Sequence, residues 1–156
     1  MRVGIGYDIH RFVEDRPLML GGIEIPHMKG LKGHSDGDAL LHAVCDAILG
    51  AAGLDDIGVQ FPDTDDRYLG IESIILLKHV VDKIRDKGFR VEYIDSVIIL
   101  EEPKIAPFKK DMKEKIAAAI GIDKDSVNIK ATTQEGIGAL GRGEALAAYA
   151  VACLVK

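Results

Sequence analysis

The chain has 156 residues, 47% of them apolar and 29% charged, with a formal net charge of -5 at pH 7, which predicts one folded domain, residues 1–156, with a sizeable core. The negative charge, with no basic run longer than Lys109-Lys110, argues against nucleic-acid binding. No apolar run approaches the roughly 20 residues that cross a bilayer, and no leader-like segment follows Met1, so we expect a cytoplasmic protein that does not interact with a membrane. In that compartment we expect Cys45 and Cys153 to be reduced thiols.

The first predicted element is a half-buried strand over residues 2 to 10, where apolar residues alternate with period two. One side of the strand is formed by Val3, Ile5, Tyr7 and Ile9, and the other by Gly4, Gly6, Asp8 and His10. Asp8 and His10 then lie about 7 Å apart along the strand, beside glycines that leave room. This end of the strand therefore suits a ligand or a metal. A short hairpin that turns at Gly21-Gly22 is predicted over residues 18 to 25.

A helix is predicted from Ser35, as N-cap, to about Ala52. Asp38, His42 and Asp46 follow one another at spacings of four, so they share one helix face. Either aspartate could orient His42 through its second ring N–H, or both could simply be solvated. The helix is apolar over most of its circumference, which predicts packing against its own sheet and against a neighbouring subunit.

The remaining elements follow from periodicity and from Gly and Pro signals. An amphipathic helix is predicted from about residue 70 to 87. Residues 89 to 100 form the longest predicted strand, which we expect to be central. A helix from Pro107 to about Ile120 and a strand over 126 to 133 come next. A glycine-rich loop follows, and the residues alone leave the alanine-rich end, 144 to 155, as helix or strand.

Three groups of residues could carry chemistry. Asp8, His10 and His42 match a zinc site with three protein ligands and an open position, although a satisfied polar cluster at a strand end explains them equally well. His34 and Ser35, at the predicted helix N-terminus, could bind phosphate, or Ser35 could merely cap the helix.

The glycine-rich loop is the third group. Thr132-Thr133, Glu135 and Arg142 offer hydroxyls, a divalent-cation ligand and a guanidinium for a diphosphate, and a plain surface turn is the alternative. The loop lacks the order of a P-loop, which argues against a nucleoside triphosphatase.

Several motifs, in order along almost the whole chain, carry a resemblance to a known family. They are Tyr7-Asp8-Ile9-His10-Arg11-Phe12, His34-Ser35-Asp36-Gly37-Asp38 with His42, Asp56-Ile57-Gly58, Phe61-Pro62-Asp63-Thr64-Asp65, and Ala131-Thr132-Thr133 with Glu135 and Gly141-Arg142-Gly143-Glu144. Together they resemble the 2-C-methyl-D-erythritol 2,4-cyclodiphosphate synthases. The resemblance implies an α/β (α+β) single domain, a mixed β-sheet with helices on one face, a strand over 143 to 155, and a homotrimer around a three-fold axis with active sites between subunits.

The resemblance also implies an activity, a phosphorus-oxygen lyase of the non-mevalonate isoprenoid pathway. It converts 4-diphosphocytidyl-2-C-methyl-D-erythritol 2-phosphate to the 2,4-cyclodiphosphate and releases CMP, by a metal-dependent intramolecular phosphoryl transfer. A metal-dependent phosphohydrolase and a non-enzymatic trimeric binding module are the alternatives that the same residues leave open.

The resemblance assigns roles residue by residue. Zn²⁺, or another divalent transition metal, would be held by Asp8, His10 and His42, the first two of which would also contact the substrate. The substrate's phosphates would meet His34 and Ser35; its methylerythritol part would meet Asp56, Gly58, Phe61, Asp63 and Asp65; its cytosine would meet Leu100, Lys104 and Ala106; and its diphosphate would meet Thr132, Thr133 and Arg142. Glu135 would bind Mg²⁺ or Mn²⁺ with the substrate, and His34 and Thr133 would steady the transition state.

Overall fold

The computed structural model describes residues 1–62 and 64–156. Its strands are β1 (Arg2–Val13), β2 (Leu18–Leu20), β3 (Ile23–Ile25), β4 (Gly30–Leu31), β5 (Arg90–Ile99), β6 (Val127–Thr132) and β7 (Ala145–Val155). Its α-helices are α1 (Ala39–Ala52), α2 (Ile57–Gln60), α3 (Ser73–Asp86), α4 (Lys109–Ile120) and α5 (Gly138–Gly141). Short 3-10 turns cover Asp66–Tyr68, Ala106–Phe108 and Lys124–Ser126.

One five-stranded sheet organises the domain, in the order β4-β1-β7-β5-β6. β5 and β6 are parallel and the other neighbours are antiparallel, while β2 and β3 form a separate hairpin. Helices α1, α3 and α4 pack on one face of the sheet. The predicted single α+β domain, with a mixed sheet and helices on one face, is confirmed.

Most predicted elements are confirmed within a few residues, including the strand predicted over residues 89 to 100, but the expectation that this strand is the longest and the central one is wrong. β5 has 10 residues against 12 in β1, and β7 is the middle strand of the sheet. An apolar, β-branched run marks a strand that is buried, and it does not fix the strand's position. The end of the chain is a strand, as the resemblance implied, because its small alanines allow α1 to cross β7 closely.

The glycine side of β1 lies directly under α1. A Cβ atom built on Gly6 would be 1.9 Å from the backbone oxygen of Ala43, and one on Gly4 would be 2.1 Å from that of Ala47. The buried side of the strand is therefore its glycine side, where the backbones of helix and strand are in contact. Its apolar side faces away from the helices, and Ile5 is 70% exposed.

The start of α1 differs from the prediction. The N-cap is Asp38, not Ser35: Asp38 Oδ1 accepts a hydrogen bond from Leu41 N at 3.0 Å, and its Oδ2 accepts one from Gly22 N at 2.7 Å. Asp38 is fully buried, and this burial raises the pKa of its carboxyl. Because this carboxyl satisfies backbone groups of both the helix and the hairpin, it fixes the helix start three residues later than predicted.

The side of α1 that faces away from the sheet was expected to pack against a neighbouring subunit. Eleven of its fourteen residues are buried within the single chain, by β1, β7 and α3. Within the chain α3 already covers the side that we expected a neighbouring subunit to cover, so the burial of this helix requires no such contact. Among the described residues, no helix combines the length and the apolar character that crossing a bilayer requires.

The close contact of β1 and α1 generates a prediction about stability. We expect Gly6→Ala to lower the free energy of unfolding by about 3 kcal/mol, because the added methyl group meets rigid backbone atoms. The matched control is Gly50→Ala in α1, where the nearest atom to a new Cβ is 4.0 Å away. It should raise the free energy of unfolding by about 0.5 to 1 kcal/mol. Urea unfolding at constant protein concentration measures both, and equal effects would contradict the proposed packing constraint.

Candidate metal centre and substrate pocket

Asp8, His10 and His42 meet where the end of β1 passes the first turn of α1. Asp8 Oδ2 lies 2.8 Å from His10 Nε2 and 2.9 Å from His42 Nδ1, and the two ring nitrogens are 3.2 Å apart. Asp8 and His10 face α1 because they continue the glycine side of the strand. The three residues that the sequence singled out as a metal site are thus brought together.

The charges in this cluster suit a cation. Burial alone would raise the pKa of the Asp8 carboxyl, but its close polar contacts with the His10 and His42 rings hold it well below its usual range. Burial alone would lower the pKa of His10, but the hydrogen bond and charge of Asp8 raise it. Asp8 is consequently an anion at neutral pH, the form that binds a metal.

The donor set passes a geometric test for a metal. Carboxylate oxygen and imidazole nitrogen at the usual 2.0 to 2.1 Å from a tetrahedral zinc would be about 3.3 Å from one another. The observed separations of 2.8 to 3.2 Å come close to this value without any rearrangement. The three residues therefore form a possible metal site.

The far side of His42 has partners that the sequence did not reveal. Neither Asp38 nor Asp46 orients this ring: Asp38 caps the helix, and Asp46 Oδ1 accepts from Ile57 N at 2.7 Å. Instead, His42 Nε2 lies 2.9 Å from Ser73 Oγ and 3.1 Å from Ser35 Oγ. Ser73 is 31 residues from His42 in the chain and shows no local motif, so only the fold identifies it.

A cavity of about 170 Å³ opens beside the cluster. Five residues predicted to contact substrate line it, namely His10, His34, Ser35, Gly58 and Phe61, together with the predicted metal ligand His42. Sequence reasoning missed its other lining residues, which are Ile57, Tyr68, Ile71 and Leu76. They are apolar or aromatic, and in the sequence such residues cannot be told from ordinary core.

The aspartates predicted near this cavity have other partners. Asp56 caps α2 by accepting from Val59 N at 3.2 Å, and Asp65 pairs with Arg67 at 2.6 Å. Neither is among the described residues that line the cavity. Asp63 lies outside the described residues.

A second cavity, of about 330 Å³, collects the residues predicted to receive the nucleotide. Its walls include Leu100, Lys104, Ala106, Thr132 and Thr133. It shares no lining residue, among those the structure describes, with the cavity at the metal cluster. In a single chain the two predicted parts of the substrate site are therefore separate.

Two further predicted residues lie close to this second cavity in sequence. Glu135 accepts a hydrogen bond from Thr133 Oγ1 at 3.0 Å, and so it is attached to the wall. Arg142 instead lines a third cavity, of about 440 Å³, and pairs with Glu144 at 2.6 Å. The structure thus joins Glu135, but not Arg142, to the predicted nucleotide pocket.

Comparison with known proteins decides the family. The YgbB family model matches residues 1–155. The chain belongs to the YgbB family.

Similar proteins indicate what members of this family do. A 2-C-methyl-D-erythritol 2,4-cyclodiphosphate synthase of Alkaliphilus oremlandii (strain OhILAs) is 56% identical over 156 residues, which cover 100% of this chain and 99% of that protein. The bifunctional IspDF of Campylobacter jejuni matches with a TM-score of 0.95 and 45% identity, over 98% of this chain and 42% of that chain. A 2C-methyl-D-erythritol-2,4-cyclodiphosphate synthase in its CDP-bound form matches with a TM-score of 0.91 and 36% identity, over 99% of this chain and 100% of that chain.

The predicted family and activity are confirmed. This YgbB-family chain is an enzyme that converts 4-diphosphocytidyl-2-C-methyl-D-erythritol 2-phosphate to 2-C-methyl-D-erythritol 2,4-cyclodiphosphate and CMP, in the non-mevalonate pathway. The assignment favours the synthase over the phosphohydrolase and the binding module that the residues alone left open.

The contact made by Asp46 leads to a prediction for this YgbB-family site. We expect Asp46→Ala to leave the metal content unchanged, since the carboxyl holds Ile57 N rather than His42. The free energy of unfolding should fall by about 1 kcal/mol, because an amide loses its acceptor. Asp46→Asn keeps an acceptor oxygen and is the control. Elemental analysis and urea unfolding measure the two effects, and loss of metal from the alanine variant would restore an orienting role.

Proposed function

We propose that the cyclisation takes place in the cavity beside Asp8, His10 and His42, and that these residues hold one Zn²⁺ per subunit. The observation that carries the proposal is the convergence of their three donor atoms next to the cavity that His34 and Ser35 also line. A bound zinc would supply positive charge to the substrate's phosphate oxygens.

The chemistry explains why such a site suffices. The substrate's 2-phosphate oxygen bonds to its own β-phosphorus, and the bond from that phosphorus to the CMP oxygen breaks. Both phosphates are anionic and repel each other, so the reaction requires positioning and charge neutralisation rather than a protein nucleophile. His34 and Ser35 bind the phosphates at the cavity wall, and His34 and Thr133 stabilise the charge that shifts to the leaving group.

The cytidine part of the substrate binds in the second cavity. Leu100, Lys104 and Ala106 receive the base, and Thr132 with Thr133 supports the diphosphate. The CDP-bound relative supports a cytidine nucleotide as the ligand. Glu135, which accepts a hydrogen bond from Thr133 at this wall, would hold Mg²⁺ or Mn²⁺ through its carboxylate, and the ion would supply positive charge to the diphosphate.

The methylerythritol part binds between these two groups. Gly58 and Phe61 contact it at the wall of the first cavity. On the motif resemblance alone, we propose that Asp56, Asp63 and Asp65 also bind this part of the substrate. Arg142 contributes to substrate binding by its positive charge, from the neighbouring cavity.

The working enzyme is a homotrimer whose subunits share their active sites. The sheet face that carries no helix exposes a patch of large apolar side chains, formed by Val3, Ile5, Tyr7, Ile9, Tyr93, Tyr149 and Val151. A patch of this kind favours burial against other copies of the chain. Because the metal cluster and the nucleotide cavity are separate in one chain, association also gives the means to bring one subunit's nucleotide cavity to another's metal.

Removal of one metal ligand tests the proposed site. We expect His42→Ala to lose bound zinc and to lower the rate of CMP release at least about a hundredfold, since second-sphere changes alone cost up to that factor. The control is His27→Ala, which removes a histidine away from the cluster and should keep one metal per chain. Elemental analysis gives the metal, and phosphorus NMR separates the cyclic product from an open phosphate. Normal zinc content in His42→Ala would refute the site, and an open phosphate from the wild type would indicate hydrolysis.

The trimer is tested on the exposed apolar patch. Ile5 is 70% exposed in the single chain, so Ile5→Asp should leave the fold intact and charge the contact surface. We expect the wild type to have the mass of three chains and the variant that of one, by light scattering. Leu69→Asp is the control, because Leu69 is 65% exposed but lies outside the patch. A trimeric Ile5→Asp variant would place the interface elsewhere.

A further inference from the structure

We propose that Ser73 and Asp36 are positioning residues that determine which ring nitrogen of His42 faces the metal. The inference rests on the metal site proposed above and adds two residues to it. They touch neither the metal ligands' donor atoms nor the substrate cavity, and they act only through the far nitrogen of His42.

The hydroxyl of Ser73 donates its hydrogen bond to Asp36. Ser73 Oγ lies 2.5 Å from Asp36 Oδ1, and Ser73 N donates to Asp36 Oδ2 at 3.0 Å. A carboxylate only accepts hydrogen bonds, so the single hydroxyl hydrogen of Ser73 goes to Asp36. Ser73 is fully buried, and no solvent competes for this contact.

The direction of that bond fixes the state of His42. With its hydrogen given to Asp36, Ser73 Oγ can only accept from His42 Nε2, which lies 2.9 Å away. Nε2 therefore carries a ring hydrogen, and in the neutral ring Nδ1 is left with a lone pair that points at Asp8 Oδ2 and His10 Nε2. This is the tautomer that a metal between the three donors requires, and the Asp36 charge makes the ring a better ligand.

The ring of His10 also has an acceptor at its far nitrogen, but here the acceptor is a backbone carbonyl oxygen. Its Nδ1 contacts the carbonyl oxygen of Lys32, which also only accepts, so its Nε2 faces the cluster. The two histidines thus use opposite nitrogens, each set by an acceptor on the far side. Only for His42 is that acceptor a side chain, so only there can a substitution remove it.

Ser35 is a weaker partner of the same nitrogen. Its Oγ is 3.1 Å from His42 Nε2, accepts from Gly37 N at 3.3 Å, and lies in a residue that lines the substrate cavity. Ser73 has the shorter contact and a carboxylate behind it. Ser73 therefore allows a test that leaves the substrate contacts in place.

The experiment measures zinc affinity rather than turnover. A chromophoric chelator competes with the full-length assembled protein for Zn²⁺, and we expect Ser73→Ala to bind zinc about 10 to 100 times more weakly than the wild type. The control is Ser96→Ala, which removes another buried hydroxyl, one that donates to Asn128 O at 2.9 Å far from the cluster. It should lose similar stability but no zinc affinity. Equal zinc affinity for the two alanine variants would overturn the inference.

Asp36→Asn provides the second arm and covers the case in which Ser73→Ala does not fold. It removes the charge and should weaken zinc binding, and unchanged affinity would also overturn the inference. Because both residues act through one chain of hydrogen bonds, the double variant should bind zinc no more weakly than Ser73→Ala alone, whereas additive losses would contradict this. A wrong assignment of the metal site would give a different result from a wrong assignment of Ser73 and Asp36, because His42→Ala would then bind zinc as the wild type does.

Discussion

The backbone contact between α1 and the glycine side of β1 is the constraint on which the site depends. Gly6 touches Ala43, and the next residue on the same side of the strand, Asp8, contacts His42, which directly precedes Ala43 in the helix. The approach that only glycine permits on the strand therefore sets the distance between two of the three residues proposed to hold the metal. Any side chain at Gly6 would push the helix outward and move His42 from Asp8. A packing requirement and a chemical requirement are met by the same contact.

Two neighbouring aspartates of one loop have different tasks. Asp38 is buried without a counter-charge, and hydrogen bonds from Gly22 N and Leu41 N offset part of the cost of its burial. It anchors the helix start to the β2–β3 hairpin. Asp36 faces Ser73 and through it His42. The loop thus fixes where the helix begins, and it contacts the helix's histidine through Ser73.

The sequence predicted much of this, since periodicity marked the helices and strands and motif order marked the family. It could not give the partners of His42, because Asp38 and Asp46 have the right helical spacing while Ser73 does not. A spacing rule describes only neighbours on one helix, and Ser73 reaches the ring from α3. Likewise β7 was ambiguous, because alanine favours a helix locally and only the crossing of α1 gives small residues a reason to form a strand.

The strand register explains why one chain holds the parts of the site but keeps them apart. Ile9 on β1 pairs with Ala147 on β7, which pairs with Ile99 on β5, which pairs with Thr132 on β6. The metal cluster and the nucleotide cavity therefore lie at the same end of the sheet, three strand spacings or about 14 Å apart. Helices cover one face of that sheet, so the other, apolar face is the one that remains for association. Because β1 turns its glycines toward the helices, its large apolar residues lie on the opposite face, and so the alternation that brings Asp8 and His10 under α1 also leaves an exposed apolar face.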